Sequence, residues 1–131
     1  MNEPEAPSLD FFSTPYINLR TFRRNGRAVD TPVWVAPGPN HQGYIFSAGE
    51  AGKIKRLRLS DEAEVAKCDM RGRVLGPWLP ARAQLVSSTD CVNEALSAMR
   101  KKYGWQMALA DIGARLTGRF NTRAYIELSL L

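Results

Sequence analysis

The chain is poor in the residues that build self-sufficient catalytic and metal sites. Its 131 residues include one histidine, His41, and two cysteines, Cys68 and Cys91. No CxxC pair or Cys/His cluster exists, which excludes a zinc site of the usual kind. The cysteines are expected to be free thiols of a reducing cytoplasm, packed as small apolar residues. His41 sits in a Pro/Gly loop with no nucleophile pattern around it, so a hydrolytic triad lacks its base. No paired carboxylates stand in an apolar setting, and Asp61, Glu62 and Glu64 read as a solvated corner. No apolar run reaches the ~18 residues that span a bilayer. The opening MNEPEAPSLD is acidic and proline-containing, unlike a signal or transit peptide. The expectation is a soluble, cytoplasmic protein with no membrane partner. If it is an enzyme, a cofactor does the chemistry.

Positive charge is abundant. Lys and Arg number 18 against 13 Asp and Glu, a formal net charge of +5. That balance favours acidic partners: phosphorylated ligands, nucleic acid or an anionic surface. The length suits one domain with a modest core, to which dimerisation would add.

The stretch from Thr31 to Asp69 organises the chain. An apolar run, Thr31 to Val35, leads through the loop APGPNHQ into a strand, Gly43 to Ala48. A small-residue turn, Gly49 to Gly52, then opens a short basic helix from Lys53 to Leu59. Ile54 and Leu57 share one face of it. A strand ending in a glycine-containing turn at a helix start is a place for an anion, because free N–H groups and the helix dipole both favour negative charge. Lys53, Lys55 and Arg56 add full charges there.

Around this stretch the chain reads as β-structure. Residues 1–13 have no useful period and are expected to be a mobile tail or a segment laid over a partner; residues 14–131 form the domain. Tyr16 to Phe22 alternates as a half-buried strand. Asn25-Gly26 predicts a hairpin with a type I′ turn. Its return strand, Ala28 to about Val35, contains Pro32, which marks an edge or a bulge. Glu64 to Asp69 is a fourth strand, and Met70 to Arg73 a second hairpin turn. Val74 to Val86 is a long strand interrupted near Gly76-Pro77. Ser87 to Tyr103 is one long helix, with Ser87 and Asp90 at capping-box spacing and Gly104 as its stop. The run Arg100-Lys101-Lys102 reads as charge at a helix C-terminus more readily than as a DNA contact. Ala114 to Leu131 returns to a period of two. Together these predict a mainly β fold: a six-stranded antiparallel split barrel with one long helix and a short basic one. Trp34 and Trp78 read as core or interface residues; the alternative is a flat conjugated ring held between them.

The ordered segments TFRRNGRAVDTPVWV, YIFSAGEAGKIKRLR, VAKCDMRGRVLGP and KKYGW resemble the flavin and deazaflavin oxidoreductases with the split β-barrel fold, the pyridoxamine 5′-phosphate oxidase-like group. The resemblance covers residues 14–128. It implies a homodimer with the cofactor at the subunit interface, FMN or coenzyme F420 as that cofactor, and hydride transfer to a small-molecule substrate. It places Thr31, Pro32, Val33 and Trp34 against the cofactor, then Ser47 with Ala48, and then Lys53. Pro77 and Trp78 would come from the partner subunit. Two positions that carry arginine in the FMN-phosphate cradle of pyridoxamine phosphate oxidases are Thr31 and Gly52 here. GKIKR looks more like the deazaflavin-using branch, in which Lys53, Lys55 and Arg56 meet a phosphodiester and a polyglutamate tail. No catalytic side chain is carried over. A non-catalytic flavin, haem or tetrapyrrole carrier on the same fold is the alternative. A nucleic-acid-binding barrel is disfavoured, since Tyr16, Phe22, Trp34 and Phe46 do not cluster with the basic run.

Overall fold

The computed structural model describes residues 11–49, 51–118 and 123–131. Seven strands form one antiparallel sheet: β1 (Tyr16–Phe22), β2 (Ala28–Trp34), β3 (Ala36–Pro37), β4 (Gly43–Ala48), β5 (Glu62–Lys67), β6 (Leu79–Val86) and β7 (Arg123–Leu130). Their spatial order is β2-β1-β5-β6-β7-β4-β3. Three helices accompany them: α1 (Gly52–Leu59), α2 (Thr89–Tyr103) and α3 (Trp105–Leu116).

Alternation along each strand sorts side chains onto two faces. Ile17 and Leu19 of β1, Ile45 of β4, Val65 of β5, Ala83 of β6 and Ile126 and Leu128 of β7 all join one buried cluster. For strands from both ends of the sheet to share a cluster, the sheet must curl around it as a half-barrel. Ile54 and Leu57 of α1 plug that interior, as their spacing predicts. The other face of β4 and β7 carries Tyr44 and Tyr125, which pack on Ala95, Val92 and Leu96 of α2. Tyr44 buries its hydroxyl there, donating to Glu94 and accepting from Gln42 Nε2 at 3.1 Å.

The C-terminus of α2 is a clasp. Lys102 Nζ donates to the carbonyls of Phe12, Thr14 and Val35 at 2.9, 2.6 and 2.6 Å. Burial lowers its pKa to about 8. The Tyr103 hydroxyl accepts from the Val35 N–H at 2.9 Å and lies 2.7 Å from the Pro15 carbonyl oxygen. Arg100 pairs with the buried Asp111 at 3.0 Å. Two of the three charges in the Arg-Lys-Lys run are thus spent on tertiary structure.

Several expectations change. Phe11 and Phe12, assigned to a mobile tail, are core residues, with Phe12 wholly buried; residues 1–10 of that tail lie outside the described residues. The Phe12 ring rests on Gly43, where a Cβ would come within 2.7 Å of it. That close approach is why glycine opens β4. The strand count rises from six to seven through the two-residue β3, too short to show a period. The first hairpin holds Gly26 at φ +87°, but Asn25 is not at positive φ. The Gly26 N–H donates to the Arg23 carbonyl at 2.7 Å, and the Arg23 N–H to the Arg27 carbonyl at 2.8 Å. This is a type I turn closed by a left-handed glycine rather than type I′. The turn at Gly72 repeats the pattern, with φ +90° and hydrogen bonds between Asp69 and Gly72 and between Asp69 and Arg73. β6 starts at Leu79; of the predicted residues before it, Val74 makes only an isolated bridge to Cys68.

Helix α2 is capped by Ser88, whose hydroxyl accepts from the Cys91 N–H at 3.2 Å, so the cap lies one residue beyond Ser87. Helix α3 has no counterpart among the predicted elements, and its last residues, Ala114 to Leu116, fall in the predicted period-two segment. Gly104, at φ +53°, ends α2 and starts α3. The amphipathicity of α3 is inverted. Trp105, Leu109, Ile112 and Leu116 form an exposed stripe, while Met107 and Asp111 are buried. Asp111 is accommodated by the Arg100 pairing and by Arg123 at 2.7 Å, which together hold its carboxyl below the usual range against the opposing effect of burial.

Pro32 does lie on an edge strand, since β2 ends the sheet. Among the described residues no helix is long and apolar enough to cross a membrane.

Candidate anion site

Helix α1 leaves the end of β4 with no side-chain cap at Ala51 and no acidic residue in its first turn. Nothing on the helix itself neutralises its positive end. With Ile54 and Leu57 turned inward, the 3.6-residue period puts Lys53 and Arg56 on one flank, partly buried, and leaves Lys55 and Arg58 exposed. The structure therefore divides the predicted basic set. Lys53 and Arg56 converge, and Lys55 does not join them.

Arg56 Nε donates to Thr21 Oγ1 of β1 at 2.6 Å. Thr21 is buried, which fixes the guanidinium at the rim of the barrel. Burial and then the nearby Arg56 lower the Lys53 pKa; burial and then Arg23 lower that of Arg56. Lys53 thus feels Arg56, and Arg56 feels Arg23. Among the described residues no carboxylate pairs with Lys53, Arg56 or Arg23. Lys53 and Arg56 are partly buried, mutually repelling charges without a counter-ion, the condition in which a phosphate or carboxylate binds well, while Arg23 stands exposed beside them. Arg23 was missed because it belongs to the β1–β2 hairpin, remote in sequence from α1. The Arg-Arg pair ahead of Asn25-Gly26 was its only signal.

The remaining predicted residues take separate places. Thr31 and Val33 share one face of β2, with Val33 packed on the core, while Pro32 is exposed on the other. Trp34 stacks on Tyr103, with centroids 4.7 Å apart and planes 13° apart, and meets Phe46 edge-on at 6.4 Å. Ser47 is buried, and Ala48 ends β4 opposite Arg123. Pro77 and Trp78 lie just before β6. The Arg20 guanidinium covers the Trp78 ring at 3.7 Å and is itself held by Asp30 at 2.7 Å and Glu64 at 3.1 Å. Arg20 and Thr21 are consecutive in β1, so Trp78 and the Lys53–Arg56 cluster lie on opposite faces of that strand. The two tryptophans have different partners within the chain. His41 is exposed in its loop, at φ 65°. No group of three or more metal-ligating side chains occurs among the described residues.

No family model and no curated protein sequence matches the chain. Solved structures do match. The chain is similar to the conserved hypothetical protein Rv2991 of Mycobacterium tuberculosis, with 14% identity and a TM-score of 0.71 over 99% of this chain and 82% of that one. The haem storage protein HutZ of Vibrio cholerae gives 10% identity and a TM-score of 0.70 over 98% and 92%. A Listeria innocua protein described as a candidate pyridoxamine 5′-phosphate oxidase gives 10% and 0.58 over 94% of each chain. The fold is the split β-barrel of these structures. Identities this low establish architecture alone, and a fold of this kind hosts several functions.

Proposed function

We propose that the protein is a cofactor-dependent oxidoreductase that binds reduced coenzyme F420, or FMN, and passes a hydride to a small organic substrate. The observation that carries this is the uncompensated, partly buried pair Lys53 and Arg56 on α1 of a split barrel. Its charge and partial burial suit the phosphate of such a cofactor. The cofactor supplies the hydride; this chain's part is to hold the phosphate and exclude water. Lys55, on the solvent side of α1, is left for an outlying acidic group rather than the phosphate. The ring would lie along β2, whose edge backbone is interrupted by Pro32.

The functional unit in this reading is a homodimer. A single copy leaves Met70, Leu75 and the α3 stripe exposed, and Pro77-Trp78 on the opposite face of β1 from the cluster. A second copy would cover apolar surface and bring its own Pro77 and Trp78 to the site. Light scattering on the protein, and on Leu75→Glu and Leu109→Glu, tests this. A monomeric native protein refutes it.

The cofactor is tested by parallel titration with F420 and FMN. Preferential binding of either, lost on Lys53→Ala, supports the reading; no binding of either overturns it. The similarity to a haem storage protein supports a second reading as a non-catalytic cofactor carrier. Bound cofactor that exchanges no hydride with any donor or acceptor would favour that reading.

A further inference from the structure

A cavity of about 600 Å³ opens between the β1–β2 hairpin and the segment joining α1 to β5, lined by Phe22, Arg23, Arg24, Leu59, Ser60 and Glu62. Its volume falls in the range of small-ligand sites. None of the predicted cofactor residues lines it. Leu59 is 65% exposed, an apolar side chain left uncovered beside the half-buried Phe22. Arg23 and Arg24 have no ion-pair partner among the described residues, although Glu62 lines the same space. The Glu62 N–H donates to Ser60 Oγ at 3.2 Å, which fixes the far wall.

The cavity therefore offers two cations on the hairpin side, an apolar floor, and one carboxylate opposite. A simple dianion would gain from the arginines but leave Leu59 bare and meet Glu62. A neutral apolar molecule would leave both guanidinium groups unpaired. We propose that this cavity binds an organic acid with an apolar body, its carboxylate between Arg23 and Arg24 and its hydrocarbon part on Phe22 and Leu59. Arginine suits this role, since its planar fork meets a carboxylate through two parallel hydrogen bonds. Glu62 sets a size and charge limit on the other end, rejecting a second carboxylate there. The site abuts the Lys53–Arg56 cluster through Arg23. It stands whether the cofactor is F420, FMN or neither.

The test is an amide-resolved NMR titration of the full chain with phenylacetate, and with 2-phenylethanol as its uncharged counterpart. Phenylacetate should shift the amides of residues 22–26 and 59–62, with 2-phenylethanol at least about tenfold weaker. Arg24→Gln should weaken phenylacetate about tenfold and leave FMN and F420 affinity unchanged, because Arg24 is not part of the phosphate cluster. Leu59→Ser, at an exposed position, should weaken phenylacetate and keep the melting temperature. Shifts confined to other regions, equal response to the acid and the alcohol, or an Arg24→Gln variant with native affinity would each overturn the proposal. Failure of the cofactor titrations alone would leave it intact.

Discussion

Lys53→Gln provides the sharpest test, because two effects of the same charge have opposite signs. In the free protein Lys53 is partly buried beside Arg56, and both influences lower its pKa. No hydrogen bond or ion pair of its side chain offsets them among the described residues. Removing the charge should therefore stabilise the unliganded protein. The group is partly solvated, so the gain is a few tenths to about 1 kcal/mol. For a chain of this size that is about 1–5 °C in melting temperature. With an anion bound, the sign reverses: a lost charge-assisted contact costs about 1.5–3 kcal/mol, or about 10- to 150-fold in affinity. At an anion concentration one hundred times the native dissociation constant, the native protein gains about 2.7 kcal/mol and a tenfold weaker variant about 1.4. Melting curves recorded against inorganic phosphate at constant ionic strength should therefore cross. The variant melts higher without phosphate and lower with it. A variant that melts lower throughout, with an unchanged response to phosphate, would refute the idea that Lys53 is an uncompensated cation awaiting an anion.

Other perturbations test the scaffold. Tyr103→Phe leaves the buried Val35 N–H without its acceptor and should cost about 1–3 kcal/mol in chemical denaturation. Gly43→Ala drives a methyl group into the Phe12 ring and should cost about 1–3 kcal/mol, with relief in the double variant Gly43→Ala/Phe12→Leu. Lys102 titrates near 8 in the folded chain, against 10.5 when unfolded. Between those values the unfolded state binds more protons, so this residue makes stability rise with pH. Lys102→Met should remove that rise in denaturation curves from pH 8 to 10, and lower stability at pH 7 by leaving three carbonyls without their donor.

Much of the fold was legible in the sequence. Period-two alternation marked β1 and most of β7. Pro32 marked an edge strand, Ile54 and Leu57 marked the buried face of α1, and Gly104 marked the end of α2. These are local signals, written in the spacing of a few residues against the geometry of one strand or one turn. The same local reading mistook Phe11 and Phe12 for a tail, because two aromatic residues carry no period. It missed α3, although Trp105, Leu109, Ile112 and Leu116 repeat at helical spacing, and it gave no sign that the helix exposes that stripe and buries Asp111. Both outcomes depend on distant residues: Gly43 receives Phe12, while Arg100 and Arg123 receive Asp111.

The candidate site divides in the same way. The sequence alone determined that a cationic, glycine-led helix follows a strand, which makes an anion site the expectation there. Only the tertiary structure decided which cations act together. The inward packing of Ile54 and Leu57 set Lys53 and Arg56 on one partly buried flank and left Lys55 exposed, and the curl of the sheet brought Arg23 from another hairpin within range of Arg56. Charge is fixed by composition, but its repulsion and its burial depend on distances that exist only once the chain has closed on itself.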